Sequence, residues 1–160
     1  MHRLPVSQIM TTAVVTIHPG KLVADAAQMM EDLYLRRLPV VDEDAALVGI
    51  ITDSDVLQAE AAGSAAANPY LAESAEKWLT VSDVMTRDVV TIGVDATVGE
   101  LATLLIDRKV GGVPVVIGDP LYPKRIQVVG MVTATDVLRM IADAWAAFRV
   151  GATQRREFIE

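Results

Sequence analysis

Apolar residues recur along the chain in spacings that predict one helix between short strands. Spacings of one and three residues mark an apolar helix face within residues 22–33, formed by Val23, Ala26, Ala27, Met30 and Leu33. β-Branched residues at Val14–Ile17 precede this helix and predict a strand. Two further apolar runs, residues 39–41 and 47–51, flank a polar turn and predict a hairpin. A second helix follows, so the predicted order is β-α-β-β-α.

The chain contains this pattern twice. With a shift of 75 positions, VSQIMTTAVVTI (6–17) aligns with VSDVMTRDVVTI (81–92), and LPVV (38–41) aligns with VPVV (113–116). After six additional residues in the second copy, VGIITDSDVLQ (48–58) aligns with VGMVTATDVLR (129–139). The first strand of the second copy is thus expected at Val89–Ile92. The duplication predicts an α/β (α+β) fold of two units packed about a pseudo-two-fold axis.

The repeat and its flanking composition predict the domain boundaries. We expect repeat 1 at residues 1–62, an alanine-rich linker at 63–80, repeat 2 at 81–148 and a C-terminal tail at 149–160. The last helix is expected to run past the repeat, with an apolar face at Ile141, Trp145 and Phe148 that covers the core or meets another subunit.

Composition narrows the classes of function. The 160 residues are 52% apolar and include no cysteine, which excludes disulfides, thiolate zinc sites and cysteine nucleophiles. A formal charge of −7 disfavours nucleic acid as a partner. The first twenty residues lack the apolar run of a secretory signal, and no later run reaches membrane-spanning length. We therefore expect a cytoplasmic protein without a nucleic-acid or membrane partner.

The segments GIITDSDVL (49–57) and GMVTATDVL (130–138) share the pattern Gly-x-x-Thr-x-x-Asp. Thr-x-x-Asp before an apolar run is close to a capping box, in which the hydroxyl and the acid satisfy free backbone N–H groups at a helix start. On this interpretation Thr52 and Thr133 are helix caps. The alternative is a ligand site, since a hydroxyl and helix N–H groups also suit an anion and a carboxylate accepts hydrogen bonds.

Taken together, the duplicated segments resemble a tandem pair of CBS domains, the family named after cystathionine β-synthase. The resemblance runs from about Val6 to Arg139. It implies two β-α-β-β-α units with clefts between the repeats that bind AMP, ADP, ATP or S-adenosylmethionine as a regulatory ligand, with no cofactor required. It also implies a homodimer and an effector protein of unknown identity.

The resemblance assigns ligand-binding roles to the two motifs and to the residues around each Pro-Val-Val. The aspartates are implied to hold ribose hydroxyls and the threonines to contact phosphate. The implied residues are Arg36, Arg37, Leu38, Pro39, Thr52 and Asp55 in the first copy, and Gly112, Val113, Pro114, Thr133 and Asp136 in the second. Glycines stand at 111 and 112 in place of the arginines, so we expect unequal sites, with phosphate favoured by the first.

Other functions have weaker support from the residues. Arg36 and Arg37 are equally compatible with a solvated basic pair at the end of a helix. His2 and His18 are distant in sequence and make a poor metal site or catalytic pair, so neither a metal nor catalysis is expected. The main alternative to a ligand sensor is a ligand-free dimerisation platform for another protein.

Overall fold

The computed structural model describes residues 1–64, 78–118, 121–122 and 125–157. Its strands are β1 (Arg37–Val41), β2 (Leu47–Thr52), β3 (Ile92–Gly93), β4 (Gly112–Ile117) and β5 (Gln127–Thr133). Its α-helices are α1 (Val23–Asp32), α2 (Asp53–Ser64), α3 (Val81–Val84), α4 (Val98–Arg108) and α5 (Ala134–Glu157), and a 3-10 turn spans Val6–Gln8. The α/β prediction is confirmed. Part of the predicted linker, residues 65–77, lies outside the described residues, as do residues 158–160 of the predicted tail.

The chain divides into two compact units, and neither unit is made of one repeat alone. Unit 1 comprises Met1–Thr12, Thr91–Val115 and Val129–Glu160, whereas unit 2 comprises Ala13–Val90 and Val116–Val128. The opening residues of repeat 1 therefore belong to the unit that holds most of repeat 2. The residues that open repeat 2 belong in the same way to the unit that holds repeat 1.

The core of unit 2 forms where α1 and α2 pack with the β1–β2 hairpin. The two strands are antiparallel, with Arg37 opposite Thr52 and Val40 opposite Gly49. Burial of apolar side chains on both the strands and the helices supplies the main stabilisation. The buried cluster consists of Ile17, Val23, Ala26, Met30, Leu38, Val40, Ile51, Val56, Val81 and Met85.

Unit 1 repeats this arrangement with β3, the first four residues of β4 and the last five of β5. These strands lie in the order β3-β4-β5. The helix α4 buries Val98, Leu101 and Leu105, which follow one another at helical spacing. The strands contribute further buried side chains, namely Val113, Val115 and Val132. Each repeat thus supplies one helix stripe and one hairpin, as the sequence pattern predicts.

Three details of the sequence prediction are wrong. Leu33 is 49% exposed, because α1 ends at Asp32 and the chain turns into a left-handed conformation at Tyr34 (φ 54°). The strand predicted at 14–17 reduces to a single parallel bridge between Ile17 and Val40. Of the strand predicted at 89–92, only Ile92 lies in a strand, β3, which continues to Gly93.

The start of each repeat pairs with the second hairpin strand of the other repeat. Thr86 and Ile50 exchange two backbone hydrogen bonds of 2.9 Å in unit 2. Thr11 and Met131 do the same in unit 1, at 2.8 and 2.9 Å. These reciprocal bridges place each Met-Thr segment against the glycine of a Gly-x-x-Thr-x-x-Asp motif.

The motif glycines are required because a methionine occupies the space of a side chain. A Cβ on Gly49 would lie 2.5 Å from Sδ of Met85 and 3.0 Å from the Thr86 carbonyl oxygen. A Cβ on Gly130 would lie 2.9 Å from Cγ of Met10. Such distances are too short for carbon in a packed interior, so a larger residue at either position displaces the bridging segment.

Two helix starts are capped by a threonine and an acid three residues later. At α4 the Thr97 N–H and hydroxyl donate to Oε2 of Glu100 at 2.7 and 3.0 Å. At α3 the Thr80 N–H and hydroxyl donate to Oδ2 of Asp83, both at 2.9 Å. Hydrogen bonds to the ionised form lower the pKa of both carboxyl groups, chiefly through the threonine N–H.

We expect Gly49→Ala to lower the free energy of unfolding by about 1–3 kcal/mol, the usual range for overpacking. The added methyl group meets Met85 and the rigid backbone oxygen of Thr86. Urea unfolding followed by circular dichroism measures the loss. Gly93→Ala is the matched control, since its Cβ would have no neighbour within 4 Å. Equal unfolding midpoints for the two variants would contradict the packing role of Gly49.

The α4 cap is expected to weaken in acid. The pKa of Glu100 lies below its ordinary value of 4.5 in the folded protein, so the unfolded chain binds the proton more readily. The contribution of the Glu100 cap to the free energy of unfolding is therefore complete above pH 4.5. It is lost as the pH falls through the lower pKa that Glu100 has in the folded protein. Urea midpoints of wild type and Glu100→Gln should converge as the pH is lowered from 6 to 3.

The control for this pH series is Glu31→Gln, which changes an exposed glutamate in the last turn of α1. The difference in urea midpoint between wild type and Glu31→Gln should vary less with pH than the difference between wild type and Glu100→Gln. A gap for Glu100→Gln that stays constant across the series would show that the carboxylate does not act through its ionised form.

Candidate functional site

The first Gly-x-x-Thr-x-x-Asp motif folds as a strand end followed by a capped helix. The strand β2 ends at Thr52, whose N–H donates to Oδ2 of Asp55 at 2.8 Å. The Asp55 N–H in turn donates to the Thr52 hydroxyl oxygen at 3.2 Å. The capping interpretation is thus confirmed for this motif. Oδ1 of Asp55 accepts no hydrogen bond from the described residues, which leaves it as an acceptor for another group.

The second motif repeats the cap and adds a cation. The Thr133 N–H and hydroxyl donate to Oδ2 of Asp136 at 2.9 and 3.0 Å. Nη1 of Arg139 lies 3.4 Å from Oδ1 of the same carboxylate, whose side chain is 14% exposed. Gln58 stands at the corresponding position of the first repeat. Both oxygens of Asp136 are therefore engaged, in contrast to those of Asp55.

The structure brings the two arginines and the first cap together. Arg37 pairs with Thr52 across the β1–β2 ladder. The carbonyl oxygen of Arg36 accepts the N–H of Asp53, the first residue of α2, at 2.9 Å. The backbone before β1 is thus tied to the start of α2, and two guanidinium groups are attached beside the Thr52–Asp55 cap.

Arg37 carries an unsatisfied buried donor. Its Nη1 is buried and has no hydrogen-bond partner among the described residues. Burial lowers the pKa of Arg37 below its ordinary value, the nearby Asp53 raises it, and the neighbouring Arg36 lowers it. A buried, unpaired donor on a cation is costly unless something accepts from it. The arrangement therefore suits an anionic oxygen.

The corresponding positions of the second repeat share the backbone geometry but not the charge. The Gly111 carbonyl oxygen accepts the Ala134 N–H at 2.9 Å, as Arg36 does with Asp53. Gly112 then opens β4, followed by the buried Val113 and Pro114. Leu38 and Pro39 are buried in the same way in β1. These four apolar side chains are buried within their strands. The first repeat has arginines immediately before them, whereas the cation beside the cap of the second repeat, Arg139, comes from α5 and already contacts Asp136.

A further concave surface lies on unit 2 outside the predicted site residues. It is an open depression of about 460 Å³, lined by Thr16, Ile17, His18, Lys21, Asp25, Gln28, Met29 and Asp32. Within it, Nε2 of His18 lies 3.6 Å from a carboxylate oxygen of Glu43, and its Nδ1 accepts the Gly20 N–H at 3.0 Å. The position of His18 directly after Ile17 is only a weak sequence signal for this surface.

Metal and membrane sites are not found in the described part of the chain. Among residues 1–64, 78–118, 121–122 and 125–157, no group of three or more His, Asp or Glu side chains is placed to hold a metal ion. Over these same ranges, none of the helices combines the length and apolar character needed to span a bilayer.

Comparison with known proteins agrees with the duplicated architecture. The family profile for the CBS domain matches residues 6–62 and 81–143. A CBS domain-containing protein of Dictyostelium discoideum is 34% identical over 142 residues, which cover 85% of this chain and 90% of that protein. An L-aspartate semialdehyde sulfurtransferase of Methanocaldococcus jannaschii is 31% identical over 135 residues. The chain spans 23% of the length of that enzyme and 32% of an uncharacterized protein from the same organism.

Solved structures show the same fold. The CBS domain pair of protein MJ0100, in complex with 5-methylthioadenosine and S-adenosyl-L-methionine, is 31% identical with a TM-score of 0.69. The match covers 88% of this chain and 97% of that one. The CBS domain of a CBS domain containing membrane protein of Sphaerobacter thermophilus is 30% identical with a TM-score of 0.66, covering 86% and 88% of the two chains. The chain therefore belongs to the CBS domain family, as a tandem pair of CBS repeats.

Proposed function

We propose that the chain is a non-catalytic regulatory module that binds an adenosyl ligand and signals by a change of conformation. The observation that carries the proposal is the buried Nη1 of Arg37, which has no hydrogen-bond partner among the described residues. Arg37 lies opposite Thr52, the residue before α2. Support also comes from the CBS domain pair of MJ0100, which is 31% identical and was solved with two adenosyl compounds. The ligands we propose are AMP, ADP, ATP or S-adenosylmethionine.

Each group at the first repeat has a role that its chemistry allows. The free oxygen of Asp55 accepts a hydrogen bond from a ribose hydroxyl, as an ionised carboxylate does readily. The guanidinium of Arg37, with that of Arg36, pairs with phosphate or carboxylate oxygens of the ligand. The N–H groups at the start of α2 add favourable partial charge for an anion. Leu38 and Pro39 supply the apolar wall.

The two repeats are proposed to bind unequally. The second repeat has Gly111 and Gly112 in place of the arginines, and Arg139 already occupies the second oxygen of Asp136. Gly112, Val113, Pro114, Thr133 and Asp136 thus offer space and hydrogen bonds but less unpaired positive charge. We propose that this site prefers an adenosyl compound with a less anionic tail.

Regulation requires that the ligand favour one conformation over another. A ligand shifts a conformational equilibrium only by the difference between its affinities for the two states. We propose that this shift is read by an effector protein and that the module acts as a homodimer in the cytoplasm. Catalysis is not part of the proposal, because no nucleophile, base and orienting group come together in the described residues.

A second candidate function is a ligand-free interaction platform. The observation in its favour is that both caps satisfy themselves: Thr52 with Asp55, and Thr133 with Asp136, exchange hydrogen bonds without any bound group. A cap of this kind stabilises a helix by roughly 1 kcal/mol without help. The two candidates differ in what the loss of Arg37 changes.

We expect Arg37→Met to weaken AMP and ATP binding by roughly 10–100-fold, the range for a lost charge-assisted hydrogen bond. Binding of 5-methylthioadenosine, which carries no anionic tail, should change little. The unfolding midpoint should stay equal or rise, since a buried unpaired charge is removed. Isothermal titration calorimetry measures the affinities. Arg108→Met, an exposed arginine in the last turn of α4, is the control.

Two results would count against the sensor. One is ATP affinity equal in wild type and Arg37→Met. The other is a thermal-shift panel of AMP, ADP, ATP, S-adenosylmethionine and 5-methylthioadenosine that leaves the melting temperature of the wild type unchanged. A real ligand at a hundred times its dissociation constant stabilises the fold by roughly 2.7 kcal/mol, which is readily measured.

The variant Asp55→Ala separates the cap from the ligand role. We expect a loss of roughly 1 kcal/mol in the free energy of unfolding from the missing cap, together with loss of adenosyl binding at the first repeat. Glu100→Ala is the control, because it removes the corresponding capping carboxylate from α4 and Glu100 is not among the residues assigned to a ligand site. Lower stability with unchanged ligand affinity would favour the platform.

A further inference from the structure

The two Thr-x-x-Asp caps differ in the residue that stands three positions after the aspartate. In the second repeat this residue is Arg139, and its Nη1 lies 3.4 Å from Oδ1 of Asp136. In the first repeat it is Gln58, and Oδ1 of Asp55 accepts no hydrogen bond from the described part of the chain. The same carboxylate oxygen is therefore engaged in one repeat and available in the other.

The contact between Arg139 and Asp136, named here the cap ion pair, is weak enough to be exchanged. Residues three positions apart lie on the same face of a helix, so α5 itself brings the guanidinium to the carboxylate. The Arg139 side chain is 65% exposed, whereas that of Asp136 is 14% exposed. A separation of 3.4 Å is longer than the usual range for an N–H···O hydrogen bond. The guanidinium thus reaches a mostly enclosed carboxylate from the solvent and holds it loosely.

The cap ion pair uses the atom that a ribose hydroxyl would need. Oδ2 of Asp136 already accepts the N–H and the hydroxyl of Thr133, at 2.9 and 3.0 Å. Only Oδ1 remains for another donor, and Arg139 is beside it. A hydroxyl donates to a carboxylate at about 2.5–2.7 Å, which is a shorter and stronger hydrogen bond. A ribose hydroxyl and the guanidinium therefore compete for one oxygen.

We propose that Arg139 is a specificity-determining residue of the second repeat, which occupies Oδ1 of Asp136 until a ribose hydroxyl displaces it. This inference rests on the proposed function, because it requires that the motif aspartates bind ribose. It concerns the nucleoside itself, whereas Arg36 and Arg37 act on the anionic tail of the ligand. Uncharged adenosine should therefore fill the site of Asp55 before that of Asp136.

The first test is calorimetric titration of adenosine in an Asp55→Ala background, in which only the second repeat reports. Adding Arg139→Gln introduces the residue found in the first repeat and frees Oδ1 of Asp136. We expect the adenosine Kd to fall by about 3–5-fold, the effect of removing an exposed ion pair. Arg108→Gln is the matched control, since Arg108 is an exposed arginine in the last turn of α4.

The reverse exchange uses the first repeat. In an Asp136→Ala background, Gln58→Arg places a guanidinium one helical turn after Asp55, as Arg139 stands in the second repeat. The adenosine Kd of the first repeat should rise by a similar factor. A specific competition predicts opposite changes from the two exchanges, whereas a general loss of structure would weaken binding in both.

Two further measurements separate competition from a change in the shape of the site. The nucleoside 2′,3′-dideoxyadenosine lacks both ribose hydroxyls, so its Kd should not depend on Arg139. Salt screens the cap ion pair but has little effect on an uncharged ligand. The ratio of adenosine Kd values with and without Arg139→Gln should therefore approach one as NaCl is raised from about 0.05 to 1 M.

The outcomes distinguish this inference from the proposed function. Equal or weaker adenosine binding after Arg139→Gln, or an equal gain for 2′,3′-dideoxyadenosine, would overturn the role of Arg139 and leave the adenosyl module intact. Binding to wild type that disappears in Asp55→Ala would overturn it as well, because the second repeat would then have no site. A wild type that binds neither adenosine nor any of the adenosyl compounds proposed above would refute both.

Discussion

The reciprocal bridge between Met-Thr segments and motif glycines is the contact on which each unit depends. In unit 2 the segment at Met85 and Thr86 lies against Gly49 and Ile50, and in unit 1 the segment at Met10 and Thr11 lies against Gly130 and Met131. The absence of a side chain on the glycine allows the approach, and the backbone hydrogen bonds fix its register. Because Met85 and Val81 belong to the buried cluster of unit 2, the bridge is also part of that core.

The same strand carries the bridge and the candidate site. On β2, Gly49 receives Met85, Ile50 pairs with Thr86, and Thr52 ends the strand and caps α2. A displacement of the bridging segment would therefore also move the cap, because Gly49 and Thr52 are only three residues apart on β2. The two hydrogen bonds of the cap hold Asp55 in place. They leave Oδ1 of its carboxylate without a hydrogen bond from the described residues. Packing of the bridging segment thus fixes where the cap lies, and the hydrogen bonds of the cap determine which oxygen of Asp55 is available to a ligand.

Local signals in the sequence are sufficient for α1, α2, α4 and α5, for the hairpins and for the caps at Thr52 and Thr133, but not for the short helix α3. Thr52 and Asp55 show the capping pattern directly, and the stripe at Val23, Ala26 and Met30 gives α1. The first strand was overestimated because β-branched residues favour extended backbone even where only Ile17 finds a neighbouring strand. Leu33 was misassigned because periodicity alone does not show at which residue a helix stops.

Long-range features could not be read from the sequence. The repeat shows that methionine and glycine both recur, but no local rule says that Met85 meets Gly49 instead of Gly130. The charge of Arg37 is visible in the sequence, whereas the burial of its Nη1 depends on how β1 packs. Whether Arg37 is a solvated cation or a buried donor depends on tertiary packing, which neither propensity nor spacing encodes.

The reciprocal bridges also constrain how the chain acquires its structure during synthesis. Unit 1 pairs Thr11, near the start, with Met131, which the ribosome adds long afterwards. The opening segment must remain without its partner until then, whereas Ile50 finds Thr86 much earlier. Contacts between distant residues slow folding because a long loop must close first. The duplicated chain is therefore expected to fold in an order, with residues 13–90 of unit 2 structured before unit 1, which needs both Thr11 and Met131.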